Sequence, residues 1–130
     1  MHTQEDLQTV QELIIQYAKV LNEANSLSIP SFFSEDGLFM PHAFKTLAGK
    51  KLAANGEGWL KKNAFHIDYT IQHITVDNKY AFAEADAVVK ITDPLTNTEL
   101  VKTSRDFFVL RKERENWKIY RYMFNNTTQP

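Results

Sequence analysis

The sequence predicts an α+β domain in which helices gather on one face of a curved antiparallel sheet, and three stretches carry that prediction. Apolar residues Leu7, Val10, Ile14, Tyr17, Ala18 and Leu21 recur at spacings of three and four, the stripe of a core-facing helix. From Tyr80 to Ile91 the period is two, with Ala81, Ala83, Ala85, Ala87, Val89 and Ile91 on one face. The stretch from Leu100 to Asn126 reads as two long antiparallel strands joined by the charged turn Lys112–Asn116. Helical pieces first and strands afterwards is the order of an α+β layout.

The first helix starts near Thr3, where Thr3 and Asp6 resemble a capping box, and fades between Asn22 and Asn25. Leu13, Ile15 and Val20 widen its stripe, so it is expected to be covered on more than one side. Ser28 can cap, and Pro30 can open, a short helix that ends before Gly37 and is anchored by Phe32 and Phe33. Leu38–His42 reads as a short strand, placed at a sheet edge by Pro41, which has no N–H to donate. After a loop over Ala43–Leu47, the stretch from Gly49 to Asn63 has helical composition at Lys50–Ala54. Gly56 and Gly58 make it the least stable helix, at about 1 kcal/mol each relative to Ala.

Phe65–Val76 is the next strand, Asp77-Asn78 the turn, and Tyr80–Ile91 the strand that follows. The small alanines would let a helix approach closely, while Tyr80, Phe82, Glu84, Asp86, Val88 and Lys90 project from the opposite face. Both arms of the final hairpin carry bulk on both faces. One face therefore covers a core and the other meets something else, for which a second copy in a homodimer is the expectation.

At 130 residues the chain reads as one domain over 1–130, with no repeat or linker. It has no cysteine, which excludes disulfides and thiolate metal sites and makes a cytoplasmic location the default. No secretory signal or membrane-length apolar run is visible, and a formal charge of -1 gives no reason to expect a nucleic-acid or membrane partner. No nucleophile elbow, phosphate loop or dinucleotide motif occurs, so no cofactor is expected.

The segments Val10–Tyr17, Phe33–Gly37, Gly49 opening a helix, Trp117-Lys118-Ile119 and Phe124-Asn125-Asn126 together resemble the nuclear transport factor 2-like superfamily, in its ketosteroid-isomerase-like and polyketide-cyclase-like (SnoaL-like) branch. The resemblance covers nearly the whole chain. It implies a cone-shaped, cystatin-like α+β barrel with helices packed on the concave face of the sheet, usually dimeric through the sheet, and an apolar pocket between the two. Members include isomerases, cyclases, dehydratases and proteins without catalysis, so fold is not function here.

The resemblance implies three candidate catalytic residues. Tyr17 stands where the isomerases place a tyrosine that donates to the substrate carbonyl; the alternative is a core tyrosine with its hydroxyl satisfied locally. Asp106 lies on the strand that carries their protonated aspartic acid. Pointing inward among Phe108 and Leu110, its pKa would rise; pointing outward, it would pair with Arg105, Arg121 or Lys102. The isomerases' basic carboxylate is missing, because this chain has Phe39-Met40-Pro41-His42 there, and His42 is the one nearby group able to take a proton near neutral pH.

Metal binding is not expected. His66 and His73, an odd number apart, fall on opposite faces of a regular strand, and a set of His42, His66 and Glu84 or Asp86 has no supporting spacing. Two function classes remain. One is a small-molecule-binding protein, in its catalytic form a lyase or isomerase acting on a carbonyl-bearing apolar ligand. Its pocket would be walled by Tyr17, Phe32, Phe39, Trp59 and Phe65 with some of Tyr69, Phe108, Tyr120 and Tyr122. The other is a non-catalytic dimeric interaction or accessory module whose aromatics fill their own cavity.

Overall fold

The computed structural model describes residues 3–53 and 56–129, without the side chains of residues 3, 56 and 57. The chain forms α1 (Thr3–Asn22), a 3-10 helix (Ser26–Phe32), β1 (Phe33–Met40), β2 (Leu47–Ala48), a 3-10 turn (Gly49–Lys51), α2 (Gly56–Lys62), β3 (His66–Asp77), β4 (Tyr80–Thr92), β5 (Glu99–Glu113) and β6 (Asn116–Thr128). The strands make one curved, unclosed sheet in the order β2-β1-β6-β5-β4-β3. The helices lie on its inner face, so the α+β expectation holds, with one addition: β1 pairs parallel to β6.

Several local expectations are corrected. β1 is an interior strand between β2 and β6, because Pro41 falls just beyond its end and removes no ladder donor. The short helix before it is 3-10 and ends at Phe32; no side chain caps it, and Ser28 lies inside it. The segment after Gly49 is two pieces, a 3-10 turn and α2, rather than one helix. The Thr3 cap and the helical reading at Ala54 fall outside the described residues and side chains. Asp6 serves another purpose, taken up below.

The hairpin turn is tighter than its charged sequence suggests. β5 and β6 run to Glu113 and Asn116, leaving Arg114 and Glu115 at φ 49° and 71°, the left-handed pair that matches the twist of the flanking strands. Two irregularities then set which residues face inward. Pairing shifts between Ile71 and His73, so Gln72 is an extra residue in β3, and it shifts between Val109 and Leu110 opposite Tyr120 in β6.

The first shift puts His66 and His73 on the same outer face, contrary to the odd-spacing argument. Seven residues still separate them by roughly 20 Å. Each bonds a near neighbour, His66 to Asp68 and His73 to Thr75. The second shift lets Trp117, Ile119 and then Tyr122 point inward.

The core gathers Val10, Ile14 and Tyr17 of α1, Phe33 of β1, the alanine row of β4, Phe108 and Leu110 of β5, and Trp117, Ile119 and Tyr122 of β6. α1 makes its main sheet contact with β3 rather than lying on the alanines. Space beside the alanines goes to their cross-strand neighbours: Ala81, Ala83, Ala85 and Ala87 stand opposite Leu110, Phe108, Asp106 and Ser104. The expected cover over α1 is incomplete, since Ile15 is 47% exposed. Gly49 is buried against Phe33, whose ring atoms would lie 2.4 Å from an added Cβ, so only glycine fits there. No helix among the described residues is long and apolar enough to cross a membrane.

Candidate functional site

Five polar side chains from four elements converge on the inner face. Tyr122 donates to Asp106 Oδ2 at 2.5 Å, and the Tyr69 and Tyr122 hydroxyls lie 2.6 Å apart. Ser104 donates to the other carboxyl oxygen, Asp106 Oδ1, at 2.6 Å. Tyr17 comes from α1, its ring edge-on to Tyr122 at a centroid distance of 6.0 Å. The period of two places Ser104, Asp106 and Phe108 on one face of β5, and the register across from Ala85 makes that face the inner one.

Asp106 therefore takes the inward alternative. It is 4% exposed, and none of the expected cations reaches it: Arg105 bonds Asn125 and Arg121 bonds the carbonyl of Asp36. Burial pushes its pKa up, the bonds from Ser104 and Tyr122 oppose that, and the charge of Asp86 adds to the rise. The tyrosines respond in kind. Burial, then the nearby acid, holds the Tyr17 phenol well above its ordinary range; Tyr69 is raised by burial, then by Tyr17 and Asp106, against its bond with Tyr122, and Tyr122 is raised by burial, then by Tyr69, Asp106 and Tyr17.

The Tyr17 hydroxyl has no hydrogen bond to any described residue, although the side chain is 3% exposed. The expectation of a locally satisfied core tyrosine fails on this point. The hydroxyl oxygen itself keeps some solvent access, unlike the fully buried and unpaired Thr127 Oγ1.

Aromatic rings surround the polar cluster. Phe108 stacks on Tyr122 at 4.1 Å, Tyr69 is edge-on to Phe108, Phe39 and Phe124 flank Tyr122, and Phe32 and Phe33 are edge-on to Tyr17. The wall is a packed layer. Open volume reaches the cluster at a groove of about 400 Å³ between α1 and β3, lined by Ile15, Ala18, Asn22, Ile67, Tyr69 and Ile71 among others. One end of that groove is fixed by Asn22, whose side chain both accepts from Ile67 N and donates to Ile67 O. A larger groove, about 1060 Å³, runs along the polar side of α1 toward Trp117 and Lys118 and does not include the cluster.

Four expected site residues lie elsewhere. Tyr120 is on the outer face, its ring between the Arg111 and Arg121 guanidiniums at 4.2 and 4.0 Å, because the irregularity opposite it turns Tyr122 inward instead. Trp59 is half exposed and touches Phe65 at a centroid distance of 5.8 Å, making both a rim rather than a wall. His42 is exposed in the loop after β1, away from the polar cluster's members. Ser104, Phe33 and Phe124 were missed, yet Ser104 and Phe124 sit two residues from Asp106 and Tyr122, a signal the strand period offered. Among the described residues no three His, Asp or Glu side chains come together.

No protein-family model and no curated protein matches the sequence. Solved structures do match its fold. A ketosteroid isomerase-like protein from Erwinia carotovora atroseptica superposes with a TM-score of 0.80 at 20% identity, over 97% of this chain and 98% of that one. A nuclear transport factor 2-like protein with a cystatin-like fold from Novosphingobium aromaticivorans gives 0.75 at 18% identity, over 93% and 81%. A candidate scytalone dehydratase from the same organism gives 0.76 at 13% identity, over 95% and 84%.

Proposed function

We propose that this chain, which has the nuclear transport factor 2-like, cystatin-like fold, binds a small, planar, mostly apolar ligand through one carbonyl or phenol oxygen. The observation that carries the reading is the Tyr69–Tyr122–Asp106–Ser104 chain, whose outer member Tyr69 lines the groove between α1 and β3, with the unbonded Tyr17 hydroxyl on the same inner face. Such a group fixes a ligand's orientation, since an oxygen buried there without a donor would cost about 1–3 kcal/mol. Ile15, Ala18, Ile67 and Ile71 supply the apolar surroundings, backed by the packed layer of Phe32, Phe39, Phe108 and Phe124. The groove between α1 and β3 is the approach.

Isomerase and lyase names among the fold neighbours bring that chemistry into view for this chain. Proton abstraction needs a base within about 3 Å of the carbon acid. Met40 and Pro41 cannot act as one, and His42 points its chemistry at solvent unless its loop folds inward. The reading is therefore binding without ketosteroid isomerisation. An equilenin-like phenol should bind the parent and bind Tyr17→Phe more weakly, with no steroid turnover in either. Turnover that vanishes in His42→Ala would make His42 the base; no binding by the parent at high micromolar phenol would remove the pocket.

A second reading, a dimeric interaction module in the reducing cytoplasm, draws on the outer sheet face. Phe82 stacks on Phe107 there, Met123 stands opposite Phe107 on β6, and partly exposed Val88 lies further along β4. A homodimer through this face should bury on the order of 1,200–2,000 Å². Sedimentation as a monomer at micromolar concentration would sink it. Binding and dimerisation are compatible, so the phenol titration, not the oligomeric state, separates the two readings.

A further inference from the structure

Proton bookkeeping in the hydroxyl chain goes beyond binding. Each tyrosine has a single proton to donate. When Asp106 is ionised it accepts from Ser104 and from Tyr122, so the 2.6 Å contact between the phenols must be donated by Tyr69. Tyr69 is then left with lone pairs only. When Asp106 is neutral and its proton lies on Oδ2, the acid donates to Tyr122, Tyr122 donates to Tyr69, and the Tyr69 proton is free for an outside acceptor. Ser104 keeps its bond to Oδ1 in both states. Reversal therefore breaks no internal bond; only the open end of the chain changes character.

We propose that the protonation state of Asp106, passed through Tyr122 to Tyr69, selects the class of oxygen this site takes. A ketone or quinone carbonyl enters when the acid is neutral, and a phenol or alcohol when it is ionised. The inference rests on the ligand-binding reading above and names the ligand classes of that same site. Beside a carbonyl in the groove, Tyr69 donates; beside a phenol, Tyr69 accepts from the ligand. A bound carbonyl also selects the Oδ2 arrangement, because there every oxygen in the chain has a donor.

The groups facing Asp106 favour a proton shared along this route. They are Ser104 on its own strand, Tyr122 from β6, Tyr69 from β3, Tyr17 from α1 and Asp86 from β4. Asp86 is the one other charge, is of like sign, and lies on the exposed face bonded to Gln72. No cation among them holds the acid ionised.

The test uses naphthol and acetylnaphthalene, a pair matched in size and opposite in hydrogen-bond character, titrated against the parent by calorimetry from acid to mildly alkaline pH. The ketone-to-phenol affinity ratio should fall as pH rises, by up to about tenfold per pH unit through the titration of Asp106, because only the competent protonation state binds each ligand. In Asp106→Asn the ratio should be flat. Tyr122→Phe, which keeps the acid and the ring, should also flatten it if the signal passes through the phenol. A flat ratio in the parent with both ligands bound overturns the proposal, as does a parental slope in Tyr122→Phe. Failure of the parent to bind either ligand at any pH overturns the binding reading beneath it, and the proposal with it.

Discussion

Asp6 and Asp106 both leave water for the inner side of the same sheet, and the company each keeps there is different. Asp6, from the first turn of α1, accepts from Trp117 Nε1 at 3.0 Å and from Lys112 Nζ at 3.2 Å, so its charge has a cation and a ring donor. Asp106, further along β5, has two hydroxyls and no cation. An acid with a counter-charge fixes helix to hairpin. An acid buried among hydroxyls alone has its charged form disfavoured, and its neighbours must reorient when it changes protonation state. The first arrangement is structural; the second is the one a ligand site can use.

The largest expected effect is on the structural acid. Asp6→Ala leaves the mostly buried Lys112 with only exposed Glu115 at 3.9 Å and removes the acceptor of the Trp117 N–H, and should cost about 2–3 kcal/mol in denaturant unfolding. A loss near zero would erase the contrast between the two acids. Tyr122→Phe removes the middle of the hydroxyl chain while keeping the ring stacked on Phe108, and should cost about 1 kcal/mol.

The pH dependence of Asp106 runs opposite to that of a salt-bridged carboxylate. Its folded pKa is raised, so its contribution is most favourable below the unfolded value and declines as pH rises through the window up to the folded one. Asp106→Asn should therefore gain on the parent as pH rises through that window, and a widening deficit would mean the acid is stabilised as an anion. Asp36 supplies the control of opposite sign. Arg111 holds its pKa down, so its contribution is lost as pH falls through the folded value. The smallest effect is Tyr17→Phe. A hydroxyl with no protein partner stabilises nothing, so unfolding should change by less than about 0.5 kcal/mol while phenol affinity drops. A substantial stability loss would show that the hydroxyl is satisfied within the protein and is not waiting for a ligand.

Local rules determined much of this protein from sequence alone. The 3.6-residue stripe of α1, the period of two in β4 and the aromatic arms of β5 and β6 each bury one predictable side, because side-chain direction follows from backbone geometry within a few residues. Tyr17 and Phe108 were legible as inward for that reason. Which face Asp106 took was not, since a register slip of one residue exchanges faces, and only pairing with Ala85 decided it. The same holds for Tyr120 and Tyr122, which the sequence offered together and a single irregularity opposite Val109 and Leu110 separated. The fate of Asp6 was hidden as well, because its partners Lys112 and Trp117 lie more than a hundred residues away and meet it only once the sheet has curved around α1. Side-chain direction is a local property of the chain, whereas bulges, register and charge partners are settled between distant segments, and the site is made of the latter.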